Sequence, residues 1–148
     1  MDRTRPPQQP RVHLIKLAVG VRDVAHLQAI QKARAETSPP LRHLTRNFPK
    51  RAAELLESGS IYWVIGGIIS VRQRLADITR DKETDGTPIT ALVLDPKLVL
   101  VEPRPMRAFQ GWRYLEPKDA PPDLGAAGTG SAEMPEEMRR QLAALGLL

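Results

Sequence analysis

The chain has 148 residues, 41% of them hydrophobic and 26% charged, which is ordinary for one globular domain. It contains no cysteine, so disulfides and thiolate metal sites are excluded, and a reducing compartment is favoured. The longest apolar runs, such as 61–69, are about half as long as a membrane helix, and no signal peptide is recognisable. We therefore expect a cytoplasmic protein without a membrane segment. Its net charge of +5 favours polyanionic partners, nucleic acid above all.

The first elements are predicted from composition and capping residues. Residues 1–10 contain three prolines and two glutamines, and are predicted to be a disordered arm before a core domain at 11–118. The β-branched, apolar run 12–19 predicts a strand. Asp23 is a suitable N-cap for a helix that ends near Glu36, before two prolines.

The middle of the chain predicts a central strand. Residues 41–46 are expected to form a short strand, and a second helix is expected to begin near Pro49. Ser60–Ile65 is apolar on both faces, which predicts a central strand covered on both sides. Residues 68–79 match both a strand and a helix, but the β-branched start and the preceding glycines favour a bent strand.

The following segment is predicted to be rich in turns. Residues 85–86 are Asp-Gly and predict a turn. Residues 89–94 and 98–102 are expected to form a hairpin around Asp95–Lys97, with proline at the second turn position. A last strand is expected at 108–115.

The C-terminal part is predicted to be a linker and a helix. Residues 119–132 are rich in Pro, Gly and Ala and predict a flexible linker. Residues 133–148 predict a helix packing on the core, with Met138, Leu142 and Leu145 as its apolar stripe. The whole pattern has about seven strands and three helices. It predicts an α+β fold with a strongly bent antiparallel sheet or a small barrel.

Several motifs resemble those of a known family. They are LRHLTR (41–46), GSIYWVI (59–65), RQR (72–74), LVLDP (92–96), EPRP (102–105) and AFQGWRYL (108–115). The combination resembles a family of short bacterial proteins catalogued as a domain of unknown function, over residues 12–148. A weaker, fold-level similarity to the PUA-like superfamily of RNA-binding barrels implies a PUA-like barrel.

Arginine and aromatic residues share the same part of the chain. All six aromatic residues lie between Phe48 and Tyr114, and the stretches 41–53, 60–76 and 103–115 contain no acidic residue. Arginine interleaved with aromatic rings is typical of surfaces that grip phosphates and stack bases. The leading hypothesis is therefore a nucleic-acid-binding module that prefers RNA. Its predicted phosphate contacts are Arg42, Arg46, Arg51, Arg72, Arg74, Arg104, Arg107 and Arg113, and its predicted stacking residues are Tyr62, Trp112 and Tyr114. The alternative is that aromatic residues such as Trp63 are core, and that the arginines are solvated or paired with glutamates.

The residues that could support catalysis are few. The three histidines have no metal-ligand spacing, so neither a metal nor a cofactor is predicted. The second hypothesis is an enzyme acting on a nucleotide or modified base, with His43, Thr45 and Glu102 around one pocket. The third is a protein-interaction module that uses the C-terminal helix. Gln73, on an apolar strand face, is expected to be a satisfied buried amide or to point into a barrel interior.

Overall fold

A computed structural model describes residues 10–124, which form one mixed sheet with two helices. The elements are β1 His13–Leu17, α1 Val24–Thr37, β2 Arg42–Thr45, α2 Ala52–Leu55, β3 Ser60–Ile65, β4 Ile68–Lys82, β5 Pro88–Pro105 and β6 Trp112–Leu115, followed by a 3-10 turn at Pro117–Asp119. Nearly all of the predicted arm, most of the predicted linker and the predicted helix 133–148 lie outside the described residues. None of the helices in the described part is long and apolar enough to cross a membrane.

The strand order is β2-β5-β4-β3-β1-β6, so β2 and β6 are the two edges. The pair β1–β3 is parallel and the other pairs are antiparallel. A parallel pair needs a crossover connection, and residues 18–59, which include α1, supply it. A mixed six-stranded sheet with two helices is consistent with the α+β class, whereas the predictions of an antiparallel sheet and of a closed barrel are wrong.

The long β4–β5 ribbon replaces the predicted hairpin. Pairing passes from Gln73–Leu98 to Leu75–Leu94, so three residues of β5 face one residue of β4. Residues 95–97 are therefore a bulge inside one continuous strand, which reduces the predicted seven strands to six in the described part. The bulge is closed by the carboxylate of its first residue, which accepts a hydrogen bond of 2.9 Å from the backbone N–H of its third. Proline is tolerated there because a bulge leaves one N–H position out of the ladder.

The interior lies on both faces of the sheet. All six residues of β3 are buried, which confirms the prediction of a central strand. Segment 68–79 is a strand with register shifts along its length, as the bent-strand interpretation predicted. The larger core cluster, on the face covered by the helices, includes Leu14, Leu27, Leu55, Ile61, Trp63, Val71 and Leu92. The smaller cluster, on the opposite face, comprises Ile15, Tyr62, Val64, Ile69, Val101 and Leu115.

Candidate functional site

One lysine lies between two tryptophans of the neighbouring strands, on the face of the sheet that the helices cover. Lys16 of β1 pairs with Trp63 of β3 on one side and with Trp112 of β6 on the other. Directly paired residues of neighbouring strands project from the same face of a sheet, so the three side chains are neighbours. Lys16 is half-buried, and its ammonium group has no hydrogen-bond or ion-pair partner among residues 10–124. Burial lowers its pKa, because the charged ammonium loses hydration.

The His43 side chain reaches the same place from the other edge of the sheet. β2 is three places from β3 in the strand order, yet the imidazole of His43 lies edge-on to the Trp63 ring, with centroids 5.2 Å apart. The sheet is therefore curled so strongly that its edge strand faces its centre. Burial, and then the positive charges of Lys16 and Arg34, lower the pKa of His43 to about 4. The ring is thus neutral at pH 7, and its nitrogens have no hydrogen-bond partner within the described part of the chain.

These side chains line a pocket between β1, β2 and α1 with a volume of about 130 Å³. It opens into an adjoining groove of about 350 Å³, and the two concavities share Arg34, Arg42 and His43. No aspartate or glutamate lines either of them in the described structure, whereas Lys16, Arg34 and Arg42 do. The rest of the pocket wall is largely apolar. The pocket is consequently a region of uncompensated positive charge, which attracts anions.

A buried network of two amides supports the pocket wall, to which Gln31 and Trp63 belong. Gln73 is fully buried, and its Oε1 accepts hydrogen bonds from Gln31 Nε2 at 2.9 Å and from Trp63 Nε1 at 3.1 Å. Its Nε2 donates to Gln31 Oε1 at 2.7 Å and to the Asp95 carbonyl at 2.8 Å. The prediction of a satisfied buried amide is confirmed. The network fixes the Trp63 indole against which His43 packs.

On the opposite face of the sheet, the positive charge of Arg72 is paired with a carboxylate. Arg72 makes two hydrogen bonds of 2.7 Å to the carboxylate of Asp123 and a third, of 3.0 Å, to Ser60 Oγ. Tyr62 beside it is only 4% exposed, and burial raises its pKa to about 12. His13 is also buried, and burial, followed by the charge of Arg72, lowers its pKa to about 4. A surface groove of about 340 Å³ lies here, but its arginine already has a carboxylate partner.

Three of the predicted binding residues do come together near β6. The backbone N–H of Arg51 donates to the hydroxyl of Tyr114 at 3.0 Å, and the Trp112 indole N–H donates to the Asn47 carbonyl at 3.1 Å. The Arg51 guanidinium, however, forms ion pairs with Glu54 at 2.9 Å and with a second glutamate, at position 116, at 3.0 Å. The segment 46–51 therefore links the two edges of the sheet through the side chains of β6, and the charge of Arg51 is neutralised.

The other predicted arginines are spread over the surface. Arg104 donates to the Asp119 carbonyl at 2.6 Å, and Arg113 lies over the Phe109 ring at 4.6 Å. Three more are exposed, and their side chains have neither a hydrogen-bond, an ion-pair nor a ring partner in the described residues: Arg46, Arg74 and Arg107. The eight arginines do not form one continuous surface, and only Arg42 lines the pocket with Lys16.

The predicted catalytic group is not assembled in one pocket. His43 lines the pocket, but neither Thr45 nor Glu102 does. Leu92 is the pairing partner of His43, and Glu102 lies ten residues farther along β5. Sequence reasoning missed Lys16 and Arg34. The available signal was a lysine in the middle of an otherwise apolar strand.

Within residues 10–124 no group of three or more acidic, histidine or cysteine side chains is arranged to hold a metal ion.

Comparison with known proteins identifies a family. No curated protein and no solved structure matches the chain. Residues 14–148 match the family model described as "Protein of unknown function (DUF1489)", so the chain belongs to this family, and the expected membership of a domain-of-unknown-function family is confirmed.

Proposed function

We propose that this protein binds a nucleotide, and that the phosphate enters the pocket between β1, β2 and α1. The observation that carries the proposal is the convergence of Lys16, Arg34 and Arg42 around a neutral His43, with no carboxylate in the described lining. Removing an ammonium from water without a partner costs free energy, and a bound anion would offset that cost. The arrangement therefore destabilises the protein without a ligand, and it favours the binding of an anion.

The dimensions and chemistry of the pocket fit the parts of a nucleotide. The inner volume of about 130 Å³ is below the range of roughly 300–1,000 Å³ that is usual for small-molecule sites, so it accepts a compact group only. The adjoining groove offers more room and the guanidinium groups of Arg34 and Arg42, which suit bidentate phosphate contacts. The apolar rim, which includes Val19 at 84% exposure, provides a surface for a ring. Trp63 is 2% exposed and supports the pocket without acting as a stacking platform.

An RNA strand is the second candidate ligand, with its terminal nucleotide in this pocket. Exposed arginines without carboxylate partners in the described residues, such as Arg46, Arg74 and Arg107, favour it. They would add a salt-dependent attraction for a polyanion, whichever nucleotide occupies the pocket. A free nucleotide would gain much less from them.

The experiment is a binding titration followed by tryptophan fluorescence or calorimetry. The probes are nucleoside monophosphates, the matching nucleosides, and one RNA oligonucleotide with a 5′-phosphate or a 5′-hydroxyl. We expect the phosphorylated probes to bind more tightly, and Lys16→Met or Arg34→Gln to weaken them by about tenfold or more, because a charge-assisted hydrogen bond contributes roughly 1.5–3 kcal/mol. Lys97→Met, at an exposed position in the β5 bulge, is the matched control.

The outcomes separate the two ligands and test the pocket itself. Tighter binding of the 5′-phosphorylated RNA, with a steep decrease at higher salt, identifies an RNA end. Equal affinity for the monophosphate and the RNA identifies a free nucleotide. The proposal is wrong if no phosphorylated probe binds at low salt, or if Lys16→Met and Lys97→Met bind equally well.

A further inference from the structure

We propose that Lys16 is a reactive amine, and that it condenses with the aldehyde or ketone group of an anionic ligand to form an imine. This inference rests on the proposed anion pocket but goes beyond binding. It assigns covalent chemistry to one side chain, and it extends the ligands of the pocket from nucleotides, which carry no aldehyde or ketone, to anionic carbonyl compounds.

The position of Lys16 distinguishes it from every other lysine that the structure describes. Its side chain is half-buried between two tryptophans, whereas the other five lysines, Lys32, Lys50, Lys82, Lys97 and Lys118, are exposed. A lysine beside a carboxylate keeps its proton and is not nucleophilic. Around Lys16, the charged neighbours are Arg34 and Arg42, and no carboxylate lines the pocket in the described residues. Low hydration lowers the pKa of Lys16 and favours the neutral amine, which is the form that attacks a carbonyl carbon.

A second group is suitably placed for the proton transfers. His43 is neutral at pH 7, lines the same pocket, and is close enough to Lys16 for the ammonium charge to lower its pKa. A neutral imidazole with unpartnered nitrogens can accept a proton at one step and return it at the next. No other imidazole and no carboxylate lines the pocket in the described part of the chain.

The reaction balances without any further reagent. The lone pair of Lys16 Nζ forms a bond to the carbonyl carbon, and the carbonyl oxygen takes up a proton to give a carbinolamine. The nitrogen then loses its second proton while the hydroxyl group takes one up and leaves as water. The sum is amine plus carbonyl giving imine plus water, with no change of oxidation state. His43 carries protons from nitrogen to oxygen in both steps.

The arrangement also predicts which carbonyl compounds react. The guanidinium groups of Arg34 and Arg42 hold the anionic group at the mouth of the pocket, and the carbonyl then lies near Lys16. Holding the two reactants together raises the effective concentration of the carbonyl. An aldehyde with a phosphate should therefore react faster than the same aldehyde without one.

The test compares two probes, pyridoxal 5′-phosphate and pyridoxal, on the intact protein. Borohydride reduces any imine to a stable amine, and peptide mass spectrometry then locates and quantifies the label on each lysine. We expect pyridoxal 5′-phosphate to label Lys16 about tenfold faster than any exposed lysine, and this preference to be smaller with pyridoxal, which lacks the phosphate. Arg34→Gln should slow the labelling by the phosphate probe more than it slows the labelling by pyridoxal. Inorganic phosphate should protect Lys16 and leave Lys97 unprotected.

A pH profile separates a reactive amine from a merely accessible one. The groups that face Lys16 are His43 and Arg42 from β2 and Arg34 from α1, while its strand neighbours Trp63 and Trp112 carry no charge. Because burial lowers the pKa of Lys16, the midpoint of its labelling should lie at lower pH than the midpoint for Lys97. Labelling of Lys16 that is no faster than that of Lys97, at every pH, overturns the inference. If phosphorylated ligands still bind in a Lys16-dependent way in that case, only the imine is refuted; if they do not bind, the proposed function fails as well.

Discussion

The buried amide pair beneath the pocket allows a quantitative test of the fold. Gln73→Met keeps the length of the side chain but removes four hydrogen bonds. It leaves the Trp63 N–H, the Asp95 carbonyl and both polar ends of the Gln31 amide without their partner. An unsatisfied buried polar group costs roughly 1–3 kcal/mol, and Gln31 can recover part of this by turning toward the indole. We expect the free energy of unfolding to fall by about 3–5 kcal/mol.

A second variant, Gln31→Met, tests the same network, because its effect on the free energy of unfolding should be destabilising in the parent and neutral or stabilising in Gln73→Met. Gln31→Met alone removes one donor and one acceptor from Gln73, which still bonds to Trp63 and Asp95, so it should cost about 1–2 kcal/mol. In the Gln73→Met background the same change removes an amide that has already lost its partner. It should therefore be neutral or stabilising there.

The assay is urea unfolding of the parent, the two single variants and the double variant, followed by tryptophan fluorescence. The interaction energy from this cycle should be about 1.5 kcal/mol or more, in the direction that makes the double variant more stable than the sum predicts. Additive effects of the two substitutions would refute the network as the structure shows it. An unchanged dependence on urea concentration would show that all four proteins unfold from the same compact state.

Three further changes test the histidine, one glycine and one ion pair. The pKa of His43 is about 4 in the folded protein, below its ordinary 6.5, so its contribution to the free energy of unfolding is complete above pH 6.5 and decreases as the pH falls toward 4. In urea unfolding at pH 7 and pH 4.5, the parent should therefore lose about 2 kcal/mol more stability between the two pH values than His43→Phe does. Gly59→Ala would place its Cβ 2.3 Å from a backbone carbonyl oxygen and should cost about 3 kcal/mol or more, whereas Gly86→Ala meets open space at φ +88° and should cost about 1 kcal/mol in thermal melts. Asp123→Asn should cost about 1 kcal/mol, because it breaks a half-buried bidentate pair with Arg72, and equal stability of variant and parent would contradict that role.

Elements with a local signal were predictable from the sequence. Asp23 was predicted as an N-cap, and its carboxylate does accept a hydrogen bond of 2.8 Å from the backbone N–H of His26. Ser60–Ile65 was predicted as a central strand because it is apolar on both faces. Residues 95–97 were assigned wrongly, since Asp-Pro-Lys has the chemistry of a turn and of a bulge alike. Only the partner strand, whose pairing continues on both sides, distinguishes the two.

Pairings that are distant in sequence were not predictable. The parallel alignment of β1 with β3 depends on a crossover of more than forty residues, and nothing in β1 alone indicates it. The same holds for the ion pair of Arg72 with Asp123, 51 residues apart. Register also decided which aromatic residues are accessible. Tyr62 and Trp112 look equivalent in the sequence, yet Tyr62 is in the core and Trp112 is only half-buried.

The candidate site shows why net charge alone does not locate a binding site. A positive charge attracts an anion only where no carboxylate compensates it. Arg51 and Arg72, both in acid-free stretches of sequence, are paired with carboxylates from distant parts of the chain. Lys16 is a single charge in an apolar strand, and the fold gives it two more cations and no carboxylate in the described structure. Lys16 is inconspicuous in the sequence, yet it has the strongest physical reason to bind an anion. The fold removes its ammonium group from water and places no carboxylate beside it in the described residues.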